Sequence, residues 1–162
     1  MIMQLMFLND TGPKVCDMGM YTKLYFHGVI KKELRVIFKD IALDGQWANS
    51  KDEVFSKFGK ISRASHIPCG SPWLCSRDWH FTKLENEDNR IYDETTGLWK
   101  FYCALKDYES TIKNFLEIIP YFTETLISCQ THYEEDFYET EYELIDGKLT
   151  KVEKEEEDPD AY

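Results

Sequence analysis

Trp99-Lys100-Phe101-Tyr102-Cys103-Ala104-Leu105 is the stretch on which the fold turns. Trp99, Phe101, Cys103 and Leu105 alternate with Leu98, Lys100, Tyr102 and Ala104, a period of two that predicts a half-buried strand. Asp107 follows as a candidate N-cap, and Glu109 lies where a carboxylate suits the positive end of a helix dipole. Ile112, Phe115, Leu116 and Ile119 then recur at i, i+3, i+4 and i+7, one apolar helix face. Pro120 is expected to close that helix by restricting its predecessor. Residues 126–133 read as a second strand and residues 133–138 as a charged turn. Asp146-Gly147 is a hairpin signal between residues 141–145 and 148–152.

Upstream the same two periods recur. Residues 20–30 are rich in β formers; Leu24, Phe26 and Ile30 share a face, and Gly28 leaves a gap or a bulge. Residues 31–43 form an amphipathic helix through Leu34, Ile37, Phe38 and Ile41, ended by Asp44-Gly45. Ser50-Lys51-Asp52-Glu53 is a capping box that opens a short helix carrying Val54, Phe55 and Phe58 and ending at Gly59. Residues 60–77 lack a period and hold Pro68, Gly70, Ser71 and Pro72, a long loop of the kind that often carries function. A short strand is expected within 78–84, and a hairpin joins 90–93 to 98–105. The order predicts an α+β fold, a ferredoxin-like split β-α-β with both helices on one face of an antiparallel sheet. Residues 1–19 would be an N-terminal arm or edge strand, 20–152 a single ferredoxin-like domain, and 153–162 an acidic disordered tail.

Charge is distributed unevenly. The chain of 162 residues carries a formal charge of −11, yet residues 133–162 hold 13 Asp or Glu against three Lys, so nearly all the excess lies there. Such a patch repels a nucleic-acid backbone and attracts a basic partner; the plainer account is a solubilising tail. The five cysteines are an odd number, and the apolar residues 1–8 have no basic segment before them and are too short to span a bilayer. Free thiols in a reducing cytoplasm are the expectation.

Several segments are similar to the YubB-like ferredoxin-domain proteins of phages and plasmids. Residues 21–28 before the first helix resemble that family's opening strand and glycine, and Asp78-Trp79-His80-Phe81-Thr82-Lys83-Leu84 resembles its tryptophan and Thr-Lys segment. Leu98-Trp99-Lys100-Phe101 resembles the strand before its second helix, and Ile119-Pro120 the pair that closes it. Tyr133-Glu134-Glu135, Tyr142 and Asp146-Gly147-Lys148-Leu149 resemble its tyrosine-acid turn and final hairpin. The resemblance implies a mobile-element protein acting inside a bacterium, and it implies no catalytic residues.

The sharpest local constellation is His66, Cys69, Cys75 and His80, two thiolates and two imidazoles with enough loop to wrap a zinc ion. Against it stand loop or core thiols and surface histidines, since the close Cys pair of a zinc knuckle is missing. Trp73 is a candidate partner-binding aromatic in that loop. Aromatics on an open sheet suggest RNA recognition, but Arg35, Arg63, Arg77 and Arg90 are scattered, so direct nucleic-acid binding is disfavoured. Cys129 and His132, three apart on one strand, point to opposite faces and make no nucleophile–base pair. No glycine-rich phosphate loop, Gly-x-Ser-x-Gly or His-Glu-x-x-His occurs in the sequence. The leading expectation is a non-enzymatic interaction protein, most concretely an anti-CRISPR or similar anti-defence inhibitor. In it Glu134, Glu135, Asp136, Glu139, Glu141 and Glu143 stand in for phosphates on a basic host protein such as a nuclease. A zinc-ordered binding module built on residues 60–80 and an enzyme acting on a nucleotide or small phosphate are the alternatives.

Overall fold

A computed structural model describes residues 21–70 and 90–153, together with the backbone of two short strands at 73–75 and 81–83. The expected N-terminal arm, His80 and the acidic tail beyond Glu153 lie outside the described residues.

The molecule is a mixed α+β protein with a six-stranded antiparallel sheet. Strand β1 (Tyr21–Ile30) lies at its centre, because Leu24, Phe26 and Ile30 on one side give it a fully buried face. The chain then makes a 3-10 turn, Lys32–Leu34, and helix α1, Arg35–Asp44. A second 3-10 turn (Trp47–Asn49), α2 (Glu53–Gly59) and the four-residue α3 (His66–Cys69) follow. Strands β2 (Trp73–Cys75) and β3 (Phe81–Lys83) pair only with each other. Strand β4 (Arg90–Tyr92) joins β5 (Leu98–Lys106), helix α4 spans Thr111–Phe122, and β6 (Thr123–Tyr133) leaves it without a loop. Strands β7 (Thr140–Ile145) and β8 (Lys148–Lys151) complete the order β4-β5-β1-β6-β7-β8.

Register decides which side chains meet. Strand β5 runs beside β1 from Tyr21↔Lys106 to Val29↔Leu98, which stacks Trp99, Phe101 and Cys103 with Phe26 and Leu24 on one face. Strand β6 flanks β1 on the other side, with register shifts at His27/Gly28 and Val29/Ile30. The bulge falls at the predicted glycine: a Cβ on Gly28 would sit 2.9 Å from the Thr125 carbonyl oxygen. Asp146 (φ 49°) and Gly147 (φ 74°) take the paired positive dihedrals of a type I′ turn, the predicted β7–β8 hairpin.

The core is aromatic. Phe26, Phe38, Trp47, Phe55, Trp99, Phe101, Phe115 and Phe122 are fully buried in one cluster between the sheet and the helices. Phe38 meets Trp99 edge-on at 4.7 Å between centroids, and Trp47 meets Phe58 at 4.8 Å. Both buried indoles have partners: Trp47 Nε1 donates to the Ile67 carbonyl at 2.6 Å and Trp99 Nε1 to the Ala42 carbonyl at 3.0 Å. Each ring contributes roughly 1.5–3 kcal/mol by leaving water, so this layer holds the helices to the sheet.

Four local expectations need correction. Helix α4 begins at Thr111, after Ser110, so Asp107 is not its N-cap, although Asp107 Oδ1 still accepts from Ile112 N at 3.2 Å. Pro120 does not end that helix, which continues to Phe122. A proline in the last turn forfeits one hydrogen bond, while burial of Phe122 and the bond from Lys31 N to the Phe122 carbonyl (2.9 Å) hold the final residues in place. Ile37 is 41% exposed, because the buried stripe of α1 runs through Phe38, Ile41 and Ala42 and leaves Ile37 roughly a quarter turn away. In α2 the cap is Asp52, whose Oδ1 accepts from Val54 N (2.9 Å) and Phe55 N (3.1 Å); Ser50 Oγ caps the preceding turn at Asp52 N.

Asp52 also ties α2 to α4. Tyr121 donates its hydroxyl to Asp52 Oδ2 at 2.6 Å, and that bond is the main reason its phenol is pushed up to about 12. Asp52→Ala is expected to cost about 1–2 kcal/mol in urea unfolding, since the cap and this link are lost together. Asp52→Asn should keep most of the stability. A phenol held neutral in the folded state stabilises fully below its ordinary value near 10 and loses that contribution as pH rises from there to about 12. The alkaline fall in stability should therefore be shallower in Tyr121→Phe.

Candidate functional site

Six carboxylates singled out in the sequence cluster where β6 turns into β7, and the structure divides them. Glu134 is part of the fold: its N–H donates to the Tyr21 carbonyl, and its Oε2 accepts from Tyr21 N, both at 3.1 Å. The pair closes the end of the β1–β6 ladder. Glu141 is half-buried and accepts from Gln130 Nε2 at 3.4 Å across the β6–β7 register. Glu135, Asp136, Glu139 and Glu143 are exposed. The turn between the strands is pinned at its start by the Asp136 N–H on the Tyr133 carbonyl (2.9 Å) and by His132 Nε2 against the Asp136 carbonyl (2.9 Å).

At the tip of this turn stand two aromatic side chains, Phe137 (71% exposed) and Tyr138 (78% exposed). Their adjacency was a usable signal. Two large neighbours in a charged turn cannot both reach a core, so at least one had to face water. The local potential is negative: the Tyr133 phenol is raised by desolvation first and then by Glu135, Glu134 and Asp136.

The remaining candidates separate. Cys129 is buried beside Phe26, while His132 lies on the opposite sheet face across from Lys23, as their spacing predicts. His66 is exposed on α3. Cys69 donates Sγ–H to the Leu43 carbonyl (3.4 Å) and accepts from Arg90 (3.0 Å), and burial raises its thiol despite that arginine. Trp73 and Cys75 are known here only as β2 backbone, and His80 is outside the described residues, so the zinc quartet and the tryptophan anchor are not placed. Among the described residues no group of three or more His, Cys, Asp or Glu is disposed to hold a metal ion.

The chain matches no protein-family model, no curated protein and no solved structure. No helix of the described residues is long and apolar enough to cross a membrane.

Shallow grooves lie among the described residues. One, of about 330 Å³, lies along α1 beside Val36, Ile37 and Lys51. Another, of about 240 Å³, lies on the sheet between Lys23, Tyr25, Tyr102, Gln130, His132 and Glu139. Burial pushes the Cys129 thiol up to about 12 and the Cys103 thiol higher still. Peptide mapping after alkylation of the native protein should find Cys103 and Cys129 unmodified until denaturant is added.

Proposed function

We propose that this is a non-enzymatic interaction protein that docks its acidic turn, residues 134–139, on a basic surface of a nucleic-acid-handling host protein. The observation that carries the reading is the high exposure of Phe137 and Tyr138 among Glu135, Asp136 and Glu139. Aromatic anchors supply apolar area on contact, and a fringe of carboxylates steers a cationic partner and fixes its orientation. The exposed carboxylates would occupy places where the partner ordinarily holds phosphates, which is how an anti-CRISPR or other anti-defence inhibitor would act. A phage or plasmid origin and a site of action in the bacterial cytoplasm fit the family resemblance.

The same reading takes the sheet as a ferredoxin-like split β-α-β. Its support is the order β4-β5-β1-β6, in which α1 and α4 carry the two crossings and β7–β8 extend one edge.

The test is capture from bacterial lysate by the intact chain and by two variants. Glu135→Lys/Asp136→Lys/Glu139→Lys should abolish retention at physiological salt. Phe137→Ala/Tyr138→Ala should weaken it at least tenfold through faster dissociation. Glu135, Asp136 and Glu139 are exposed, so each charge reversal should shift stability by no more than about 0.5 kcal/mol, and urea unfolding of both variants separates lost binding from lost folding. Glu134 is kept, because reversing it would open the end of β1. Retention that survives charge reversal with unchanged salt dependence would sink the proposal.

A further inference from the structure

The helices cover one face of the sheet; the other face has its own chemistry. Strands β1 and β5 contain no Asp or Glu at all, and their outward positions carry Tyr21, Lys23, Tyr25 and His27 opposite Lys106, Ala104, Tyr102 and Lys100. Tyr25 and Tyr102 are direct cross-strand neighbours at the middle of the sheet, and Gln130 of β6 continues their row. Lys106 Nζ lies 5.5 Å from the centre of the Tyr21 ring. Among the described residues, the ion pairs Arg35–Glu124 and Lys39–Glu94 involve none of Lys23, Lys100 and Lys106. In a chain of charge −11 this is a local excess of cation. His27 registers it: its imidazole is held below its ordinary value by burial first and by Lys100 second.

We propose that this face, centred on Tyr25 and Tyr102 and flanked by Lys23, Lys100 and Lys106, binds single-stranded nucleic acid. Tyr25 and Tyr102 are half-buried, and the exposed part of a tyrosine ring on a sheet offers a flat surface on which an unpaired base stacks while lysines around it meet the phosphates. Lys100 and Lys106, six residues apart on one strand, are about 20 Å apart, a span that suits a short single strand rather than one anion. A duplex hides its base faces and gains nothing from the tyrosines. An acidic peptide would use the lysines and leave the rings idle. Glu139 enters the groove beside Tyr25 and Tyr102 from the turn before β7, and Glu141 and Glu143 follow along β7; together they would repel a phosphate backbone on that side, confining the strand to β5 and β1. The surface shares Glu139 with the acidic turn but none of its lysines or tyrosines, so the lysine and leucine variants below test this inference independently of the protein-docking reading.

The test is fluorescence anisotropy with the full-length chain and labelled ten-nucleotide oligo(dT) and oligo(U). A duplex of equal length and an oligoglutamate peptide serve as competitors. Binding is expected for the single strands, with little competition from either competitor. The triple change Lys23→Gln/Lys100→Gln/Lys106→Gln should weaken binding at least tenfold and flatten the log–log salt slope by about 2. Tyr25→Leu and Tyr102→Leu, which keep apolar bulk but remove the ring, should each weaken it roughly tenfold at an unchanged slope. Tyr25→Phe and Tyr102→Phe should bind as the parent does. No anisotropy change with single strands would overturn the proposal. So would a duplex or oligoglutamate that competes as well as unlabelled single strand, or leucine variants that bind normally while retaining the parent melting curve.

Discussion

Gly59→Ala is expected to destabilise the protein strongly, although alanine is the better helix former. Propensity alone favours the change by about 1 kcal/mol at this position in α2. Packing opposes it more strongly. A Cβ at residue 59 would lie 2.5 Å from the Ala48 Cα and 2.6 Å from the Trp47 carbonyl carbon, and it would also overlap the Ala48 nitrogen. All three are backbone atoms, so no side chain can rotate away. Relief requires α2 to part from the turn at Trp47–Asn49, and that turn carries a fully buried Trp47 in contact with Phe38, Phe55 and Phe58. The net loss should be about 3 kcal/mol or more. Urea unfolding measures it, with Lys57→Ala on the exposed side of the same helix as the control, expected within about 0.5 kcal/mol of the parent. A Gly59→Ala protein as stable as Lys57→Ala would mean that α2 does not rest on that turn.

Phe38→Ala should be among the costly truncations in the core. Phe38 is the only α1 ring in the cluster, and it lies 4.7 Å from Trp99, 5.2 Å from Phe122, 5.5 Å from Phe55 and 5.9 Å from Trp47 between centroids. Its removal empties the meeting point of three helical segments and the sheet, and aromatic rings around the hole cannot collapse into it without leaving their own contacts. A cost of about 3–5 kcal/mol follows, against a total that rarely exceeds about 15 kcal/mol for a domain. The urea midpoint should fall with little change in slope, and Phe38→Leu should recover a large part of the loss. Equal stability of the alanine and leucine variants would show that the ring layer is looser than its centroid distances indicate.

What could be read ahead of the structure was whatever depends on neighbours along the chain. The alternation of β5, the apolar face of β1 with its irregularity at Gly28, the left-handed stop at Gly45 (φ 65°) and the Asp146-Gly147 turn are local, and each stands where its residues indicated. Helix limits were less legible, because tertiary bonds decided them: Lys31 and buried Phe122 carry α4 past Pro120. The acidic turn was visible as charge, but its division into the structural Glu134 and the exposed Glu135, Asp136 and Glu139 needed the Tyr21 ladder. The lysines of the sheet were invisible for a different reason. Lys23 is far from Lys100 and Lys106 in sequence, no basic run announces them, and only the β1–β5 register makes them neighbours.

The β7–β8 turn also offers a practical handle. A Cβ placed on Gly147 would have nothing within 4 Å, and the turn joins two strands at the rim of the sheet, beyond β6 from the β1–β5 face. Exposed two-residue tips of this kind accept inserted peptide with little penalty. A short tag or dye-bearing loop spliced between Asp146 and Gly147 should leave both proposed surfaces unobstructed, so the molecule can be immobilised or followed optically while either is engaged.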